Sequence, residues 1–273
     1  MLEQALQTLE IHFLAFLVGA AALFAGLDIV FRGSTQLGTI VRQWALNASL
    51  YALGLLLSVQ LPISMLVSAE TSYRLGTGVR GLFHHGFVAD LAIWIVCYTL
   101  VQYLIHRAMH RFSFLWAIHR VHHLDEIVDS STALRHHPLE SLIALLVFSG
   151  LAFVLAPRAS VVVLWSAIEL LVDLWTHGRL PLSVEVARKM ERVFFTPRLH
   201  RIHHSSNPTQ TDSNYGNAVL VWDKLFGTLC TEAPQRLGLD DPTASGAASR
   251  DFDKLLADPL TFLRRRWRAK SAD

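Results

Sequence analysis

The sequence has few charged residues and almost no cysteine, and both shortages restrict what the protein can be. Only 17% of its 273 residues are charged and 52% are hydrophobic, whereas a soluble globular domain has about 25% charged residues. The two cysteines, Cys97 and Cys230, lie far apart, which argues against a disulfide framework. The net charge of +2 gives no sign of a nucleic-acid partner, and we expect none. With a mean hydropathy of +0.36, the composition favours an integral membrane protein.

Five apolar runs are long enough to be membrane spans, since about 20 apolar residues cross the hydrocarbon core. They are 11–31, 44–69, 86–105, 139–156 and 160–175. Pro62 is expected to bend or break the second run, and Pro157 with Arg158 predicts a tight hairpin between the last two. Buried helices of a soluble core are the alternative, but five such runs in one chain favour the membrane. The sequence thus predicts an all-α protein with four to five transmembrane helices.

The first run does not resemble a cleaved signal peptide. No Lys or Arg precedes it, Glu3 and Glu10 do, and no convincing cleavage site follows. We therefore expect it to remain in the protein.

Basic residues flank the runs unevenly. If the N-terminus faces outward, only Arg74, Arg80 and Arg158 lie outside. The inner side then carries Arg32, Arg42, Arg107, Arg111, Arg120, Arg135, Arg179, Arg188, Lys189 and Arg192. Because cytoplasmic loops carry the excess of Lys and Arg, the histidine-rich stretches are predicted to form a cytoplasmic helical cap. We expect the membrane to be the inner membrane of a bacterium.

Eight histidines fall in three clusters with helical spacing. The first cluster has i, i+4 spacing and the other two have i, i+3, i+4 spacing, so each cluster is expected on one helix face. The clusters are His106 and His110; His119, His122 and His123; and His200, His203 and His204. Neutral imidazole is the commonest metal-binding side chain, and the pattern therefore predicts a metal site.

The number of imidazoles exceeds what one ion uses. Structural zinc sites take four ligands, often with cysteine, and no cysteine accompanies these clusters. Eight nitrogens therefore indicate two ions, each with several imidazoles and an open position. Imidazole binds iron, zinc and copper alike, so the spacing leaves the metal open.

Three further segments accompany this order of clusters, H-x-x-x-H, H-x-x-H-H and H-x-x-H-H. They are "LRHHPLE" at Leu134–Glu140, "TPRLHRIHH" at 196–204 and "NYGNAVLVWDKLFGT" at Asn214–Thr228. Together they resemble the fatty acid hydroxylase and sterol desaturase superfamily of integral membrane di-iron oxygenases. The resemblance covers residues 87–230.

The resemblance implies more histidine ligands than the three clusters contain. His177 ends the fifth run on the inner side, and His137 precedes Pro138 at the family's His-Pro position; His136 is taken as a neighbour, and His12, His84 and His85 as non-ligands. The expected ligands are His106, His110, His119, His122, His123, His137, His177, His200, His203 and His204. Carboxylates that could orient these rings are Asp90, Glu140, Asp173, Asp212 and Asp223.

The resemblance also implies the chemistry. Two iron ions would use O2 as co-substrate to hydroxylate or desaturate an alkyl chain of a membrane lipid; zinc could replace iron in purified protein. Electrons would come from a separate ferredoxin, cytochrome or reductase, since the sequence has no haem, flavin or ferredoxin motif. The oligomeric state stays open.

Two other classes compete with this interpretation. A metal transporter would place its ligands near the bilayer midplane, whereas these clusters lie at span ends and in loops. A di-zinc membrane hydrolase could use the same clusters to activate water.

Three regions are predicted along the chain: N-terminal spans in 1–85, a catalytic domain in 86–230 and a basic cytoplasmic tail in 231–273. The tail segment 259–270 mixes apolar residues with four arginines and a lysine, which fits either anionic headgroups or a solvated tail. Residues 182–195 predict an amphipathic helix, lying on the membrane surface or packed on the cap.

Overall fold

The computed structural model describes residues 2–32, 37–241 and 250–271, and these residues fold as the predicted all-α protein. The only β-structure in these ranges is two isolated bridges, Phe194–Val219 and Ser205–Leu237. The helices are α1 (Leu2–Arg32), α2 (Leu37–Ser58), α3 (Met65–Arg74), α4 (Gly78–Phe83), α5 (Phe87–Arg111), α6 (Ser113–His123), α7 (Pro138–Leu155), α8 (Ala159–His177), α9 (Val184–Met190), α10 (Pro197–His203), α11 (Pro208–Thr211), α12 (Val221–Leu225) and α13 (Phe252–Lys270).

Four of these helices, α2, α5, α7 and α8, are long and apolar enough to cross a membrane, and α1 contains the shorter apolar stretch Ala15–Phe31. The predicted second span is broken where Pro62 predicts a break. It ends at Ser58 instead of Ala69, and α3 begins at Met65 after the side chain of Ser64 caps it. Proline lacks the N–H that the helix needs, so α3 starts anew and packs against α7.

The predicted hairpin between the last two spans is present. Helix α7 ends at Leu155, Ala156 adopts the left-handed conformation, and α8 begins at Ala159. The buried carboxylate of Asp90, near the start of α5, accepts hydrogen bonds from the backbone N–H and from Nη1 of Arg158, at 2.9 and 3.0 Å. This ion pair ties the hairpin to the first turn of α5.

An aromatic core joins α5, α7 and α8. Tyr98 stacks on Phe148 with ring centroids 4.2 Å apart and meets the edge of Trp165 at 5.9 Å. Trp94 is buried in the same cluster. These contacts set the relative position of the three spans that lead to the histidines.

The ends of α5 and α8 meet a cap built from α6, α10 and α13. Arg120 of α6 is 3% exposed and pairs with Asp258 of α13 and with Asp241, each at 2.6 Å. Leu255 of α13 is buried against α6 as well.

The first turns of α13 are therefore packed on α6, while the arginines of the basic segment, Arg264, Arg265, Arg266 and Arg268, are exposed. Residues 242–249 and 272–273 of the predicted tail region 231–273 lie outside the described residues. The amphipathic helix predicted in 182–195 forms only over Val184–Met190, as α9, where the side chain of Ser183 accepts the backbone N–H of Val186.

Candidate metal centre

Nine of the ten predicted histidine ligands meet in two groups at the C-terminal ends of α5 and α8. The potential ligand atoms of each group all lie within 4.8 Å of one another. The first group, named here group I, is His106, His110, His119, His123 and His203, and group II is His122, His177, His200 and His204. The histidines come from α5, α6, α8 and α10. The sequence predicts α5 and α8 as spans, and it predicts α6 and α10 from the helical spacing of their histidines.

The spacing predicts that the three rings of each i, i+3, i+4 triplet lie on one helix face and meet at one place. The structure instead divides each triplet between the two groups. In α6, His119 and His123 belong to group I and His122 to group II. In α10 the division is reversed, since His203 joins group I and the other two join group II. The i and i+4 rings lie one turn apart on the same face, and the intervening i+3 ring is rotated towards the neighbouring group.

Within each group, ring nitrogens face other ring nitrogens. In group I, Nε2 of His119 lies 3.1 Å from Nε2 of His106 and 3.2 Å from that of His123. In group II, Nε2 of His200 lies 2.8 Å from that of His177 and 3.2 Å from that of His204. Two nitrogens that share a metal at about 2.1 Å lie roughly 3.0–3.4 Å apart in octahedral or tetrahedral geometry. The spacing fits a metal in each group.

Unpaired nitrogens support the same conclusion. Nε2 of His110 and Nε2 of His203 are buried and have no hydrogen-bond partner among the described residues. Buried polar atoms rarely stay without a partner. A metal ion in group I would supply one for both.

Each ring of group I has an outward nitrogen, Nδ1, that faces away from the other rings of the group. Most of these nitrogens have an acceptor that fixes the orientation of the ring. Nδ1 of His106 and of His203 lie 2.7 Å from the carbonyl oxygens of Tyr215 and Ser213. Nδ1 of His119 and of His110 lie 2.8 and 3.2 Å from the carboxylates of Glu140 and Asp212. Such acceptors hold the tautomer in which Nε2 is free for metal. Nδ1 of His123 has no partner within the described ranges.

Fewer rings of group II have a hydrogen-bond acceptor at Nδ1. Nδ1 of His177 lies 2.9 Å from the carbonyl oxygen of Asp173, and Nδ1 of His122 lies 3.3 Å from that of Arg135. Nδ1 of His200 and Nδ1 of His204 are buried with no partner in the part of the chain that the structure describes. In group II, backbone carbonyls therefore contact two rings, and the carboxylate of Asp173, 3.3 Å from Nδ1 of His177, contacts a ring that a carbonyl already holds.

Burial lowers the pKa of five histidines of the two groups that lie outside the spans, which favours their neutral form. Burial and, second, the proximity of His119 together lower the pKa of His203 to about 3. Burial, followed by repulsion from neighbouring imidazoles, also lowers the pKa of His122, His123, His200 and His204 well below the usual value. Neutral imidazole is the form that binds metal, so the centre is ready for ions at neutral pH.

The turn after α11 positions the carbonyl group that contacts His106. Asn214 has a φ of 55°, and the carboxylate of Asp223 accepts the backbone N–H groups of Tyr215 and Gly216 at 2.9 and 2.8 Å. A Cβ on Gly216 would lie 2.5 Å from the ring of Phe195, so only glycine fits. The predicted tight turn is present, and it presents the Tyr215 carbonyl to His106.

Comparison with known sequences now decides the family. The sequence model of the family "Fatty acid hydroxylase" matches residues 91–228, half of the chain and the part that carries both groups. The chain belongs to the fatty acid hydroxylase family.

Several curated members of this family are similar to the chain. Alkylglycerol monooxygenase of Danio rerio is 36% identical over 141 residues, 51% of this chain and 30% of that protein. The human alkylglycerol monooxygenase is 34% identical over 48% of this chain and 28% of that protein. The ornithine lipid hydroxylase of Rhizobium tropici is 28% identical over 58% of this chain and 46% of that protein. The matched segment therefore spans less than half the length of these relatives, and no solved structure matches the chain.

His137 is the one expected ligand that the structure does not bring to either group. It caps α7, where its Nδ1 accepts the backbone N–H of Leu139 at 3.2 Å, and its Nε2 donates to the carbonyl oxygen of Leu256 at 3.2 Å. Both ring nitrogens are engaged, so its position does not support a role as a ligand. The family's His-Pro segment here starts a helix.

His136, which the sequence assigns only as a neighbour, lies closer to the centre. Its Nδ1 is 3.0 Å from Oε1 of Glu140, which also accepts from His119, and its ring stacks on His122 at 4.8 Å. Burial lowers the pKa of His136, but the Glu140 carboxylate outweighs it and raises the pKa to about 9. Glu140 thus connects His119 of group I to His136, whose ring stacks on His122 of group II. The adjacent pair "HH" was the only signal, because sequence alone does not say which ring turns inward.

The remaining candidate carboxylates separate by location. Glu140, Asp173 and Asp212 contact His119, His177 and His110, as predicted for ring-orienting groups. Asp223 acts one step further out through the turn, and Asp90 lies at the α7–α8 hairpin, away from the centre.

A cavity of about 490 Å³ opens from both groups into the spans. Its wall includes His106, His119, His122, His177 and His200. Apolar side chains such as Leu55, Met65 and Phe148 form much of the rest. The volume lies in the range of ligand cavities, about 300–1,000 Å³.

Proposed function

We propose that the chain is a membrane-bound, O2-dependent di-iron oxygenase that oxidises an alkyl chain of a membrane lipid. One observation carries the proposal: nine histidines in two adjacent groups line or adjoin one cavity that is mostly apolar and continues between the spans. An apolar chain fits that cavity, and buried neutral imidazoles fit iron.

The residues of groups I and II would hold one iron ion each, and His137 is left out of the proposed ligand set. When bound, the two ions would supply the O2-dependent oxidation of a C–H bond, which protein side chains cannot perform alone. Group I offers five nitrogens and group II four.

Other side chains would orient the ligand rings and exclude water from the cavity. Glu140 holds the ring of His119 through Nδ1, and Tyr215 holds that of His106. Leu55, Met65 and Phe148 would contact the alkyl chain and keep water out of the cavity. Exclusion of water protects reactive oxidants from side reactions.

Hydroxylation is the favoured outcome over desaturation. The similar proteins are named as a monooxygenase and a lipid hydroxylase, and two further relatives as very-long-chain aldehyde decarbonylases. These names refer to an alkylglycerol, a lipid and a very-long-chain aldehyde. A lipid with an alkyl chain is the proposed substrate, and a separate ferredoxin, cytochrome or reductase is the proposed source of electrons.

The proposed location is a bacterial inner membrane with the metal centre on the cytoplasmic side. A cysteine replacing exposed Thr209 should then resist a membrane-impermeant thiol reagent in intact cells, while one replacing Leu75, which is 65% exposed, should react. Both variants are made after removal of Cys97 and Cys230. The reverse labelling pattern would overturn the orientation.

The activity is tested with the full chain in membranes of a host that lacks it. Cells are grown under ¹⁸O2, and extracted lipids are compared by mass spectrometry with those of cells expressing His119→Ala. We expect one ¹⁸O atom in a lipid product of the unaltered chain and none with the variant. A lipid cleavage product formed equally without O2 would indicate the di-zinc hydrolase, and metal uptake without any lipid change would indicate the transporter.

A further inference from the structure

Glu169 lies near the middle of the transmembrane helix α8, away from both histidine groups. Carboxylates inside membrane spans are costly and usually face a cavity or a partner with a function. Glu169 is half-buried and lines the same cavity as the histidines. The proposed di-iron chemistry leaves this side chain without a task.

Two side chains of α5 hold the carboxylate of Glu169 in place. The hydroxyl of Tyr98 donates a hydrogen bond to Oε2, and Nε2 of Gln102 donates one to Oε1 at 2.7 Å. Tyr98 is itself fixed by its stacking on Phe148. Both donors line the cavity too. The carboxylate therefore has a defined orientation between two helices.

This arrangement leaves acceptor capacity unused. A carboxylate has about four lone-pair sites, and the two donors occupy one site on each oxygen. No Lys or Arg lines the cavity within the described ranges, and His136 of the same wall pairs with Glu140, not with Glu169. An incoming hydrogen-bond donor would complete the site.

We propose that Glu169, oriented by Tyr98 and Gln102, recognises a hydrogen-bond donor on the bound lipid, a hydroxyl or an amine. The inference rests on the proposed function, because the cavity must admit a lipid. Glu169 and His177 are eight residues apart on α8, a rise of about 12 Å. The donor would therefore lie about 12 Å along the helix from the metal centre, and that spacing would select which carbon is oxidised.

The test measures binding without turnover, on the full chain purified into nanodiscs. Three probes compete with tritiated 1-O-hexadecylglycerol: hexadecan-1-ol, hexadecylamine and 1-methoxyhexadecane. Only the last lacks a donor, and comparison of the first two separates hydroxyl from amine recognition. Each apparent affinity is corrected for the partitioning of that probe into empty nanodiscs, and the affinity ratios are then compared between probes and between variants.

We expect the unaltered chain to prefer at least one donor-bearing probe over the methyl ether by about tenfold or more, the size of a hydrogen bond to a charged group. Glu169→Gln should abolish most of this preference, and Tyr98→Phe, which keeps the stacked ring, should reduce it by a smaller factor. The matched control is Glu185→Gln on α9, whose side chain is exposed and paired with Lys189. It should leave the preference unchanged.

Two results would overturn the inference. Equal affinity of the unaltered chain for all three probes would mean that Glu169 reads no donor. A Glu169→Gln variant that weakens every probe equally would mean that Glu169 only ties α5 to α8. If no alkyl probe competes at all, the proposed lipid function itself fails, which is a distinct outcome.

Discussion

Groups I and II are built from the same two helices in opposite proportion. Helix α6 gives two histidines to group I and one to group II, and α10 gives one and two. The remaining ligands come from α5 for group I and from α8 for group II. Neither group can therefore form unless α6 and α10 are already side by side, which couples the two sites.

The groups differ in how firmly their rings are held. Only His123 of group I lacks an acceptor for its outward nitrogen within the described ranges, whereas His200 and His204 of group II both lack one. Carboxylates contact two rings of group I, Glu140 at 2.8 Å and Asp212 at 3.2 Å, and one ring of group II, Asp173 at 3.3 Å. Shared helices with unequal support predict sites that assemble together but release metal separately.

The largest expected effect comes from removing one ligand of either group on α10. His203→Ala should break group I and His200→Ala group II, each lowering lipid oxidation by more than about 100-fold, since loss of a direct ligand exceeds loss of an outer partner. Bound metal should fall from two ions to about one per chain. The double variant should be hardly worse, because groups that act as a unit are non-additive.

The control for that pair is His84→Asn, at an exposed position with a φ of 44°, which asparagine tolerates. Its activity should stay near normal. Near-normal turnover of His203→Ala would contradict a dinuclear centre.

A smaller effect is expected from the carboxylates that orient group I. Glu140→Gln should weaken metal binding by about 10–100-fold, because the buried carboxylate holds both His119 and His136. Asp212→Asn should change it by only a few-fold, since the Asp212 side chain is 60% exposed and water can replace it. The metal affinities of both variants are measured by calorimetric titration. Equal losses of affinity would contradict the stronger role of Glu140.

Unequal support should also appear in the rate of metal loss. His203→Ala retains only group II, and His200→Ala retains only group I. On dilution into a chelator, the group II ion should leave about tenfold faster, the lower end of the effect of missing outer partners. Time-resolved metal analysis gives both rates. Faster loss from group I would reverse the proposed order.

The smallest expected effect is the pH dependence of the metal-free protein. The pKa of His203 is about 3 in the folded state, mainly because of burial, while the unfolded side chain titrates near 6.5. As pH falls below 6.5, the unfolded state takes up the proton first, and the free energy of unfolding drops by about 1.4 kcal/mol per pH unit for this residue. The other histidines with lowered pKa values add to the slope.

Thermal scans of metal-free protein in detergent between pH 7.0 and 5.5 test this dependence. The apparent Tm should fall with pH, and His203→Asn, which cannot be protonated there, should fall less steeply. A Tm that stays constant over this interval would contradict the lowered pKa values.

The sequence predicted much of this centre because helical spacing is a local property. His106 and His110 lie together because they are one turn apart, and the break near Pro62 follows from the missing N–H. The division of each triplet between two groups was not predictable. It depends on how far α6 and α10 are rotated against α5 and α8, and tertiary packing sets that rotation.

The same reason explains the two histidines that the sequence placed less well. His136 and His137 are adjacent, and only the start of α7 decides which ring turns towards Glu140 and which caps the helix. Glu169 likewise gave no local signal. Its partners Tyr98 and Gln102 are 71 and 67 positions away, so their meeting depends on the pairing of α5 with α8.

The ion pairs of Arg120 have a consequence for the biogenesis of the protein. The ribosome adds 121 residues after Arg120 before Asp241 exists, and 138 before Asp258 exists. At about 5–20 residues per second, α6 waits on the order of ten seconds for the two carboxylates that anchor it. We expect metal delivery to follow translation of α13, so that a nascent chain paused before Asp241 would accumulate in the membrane without bound metal.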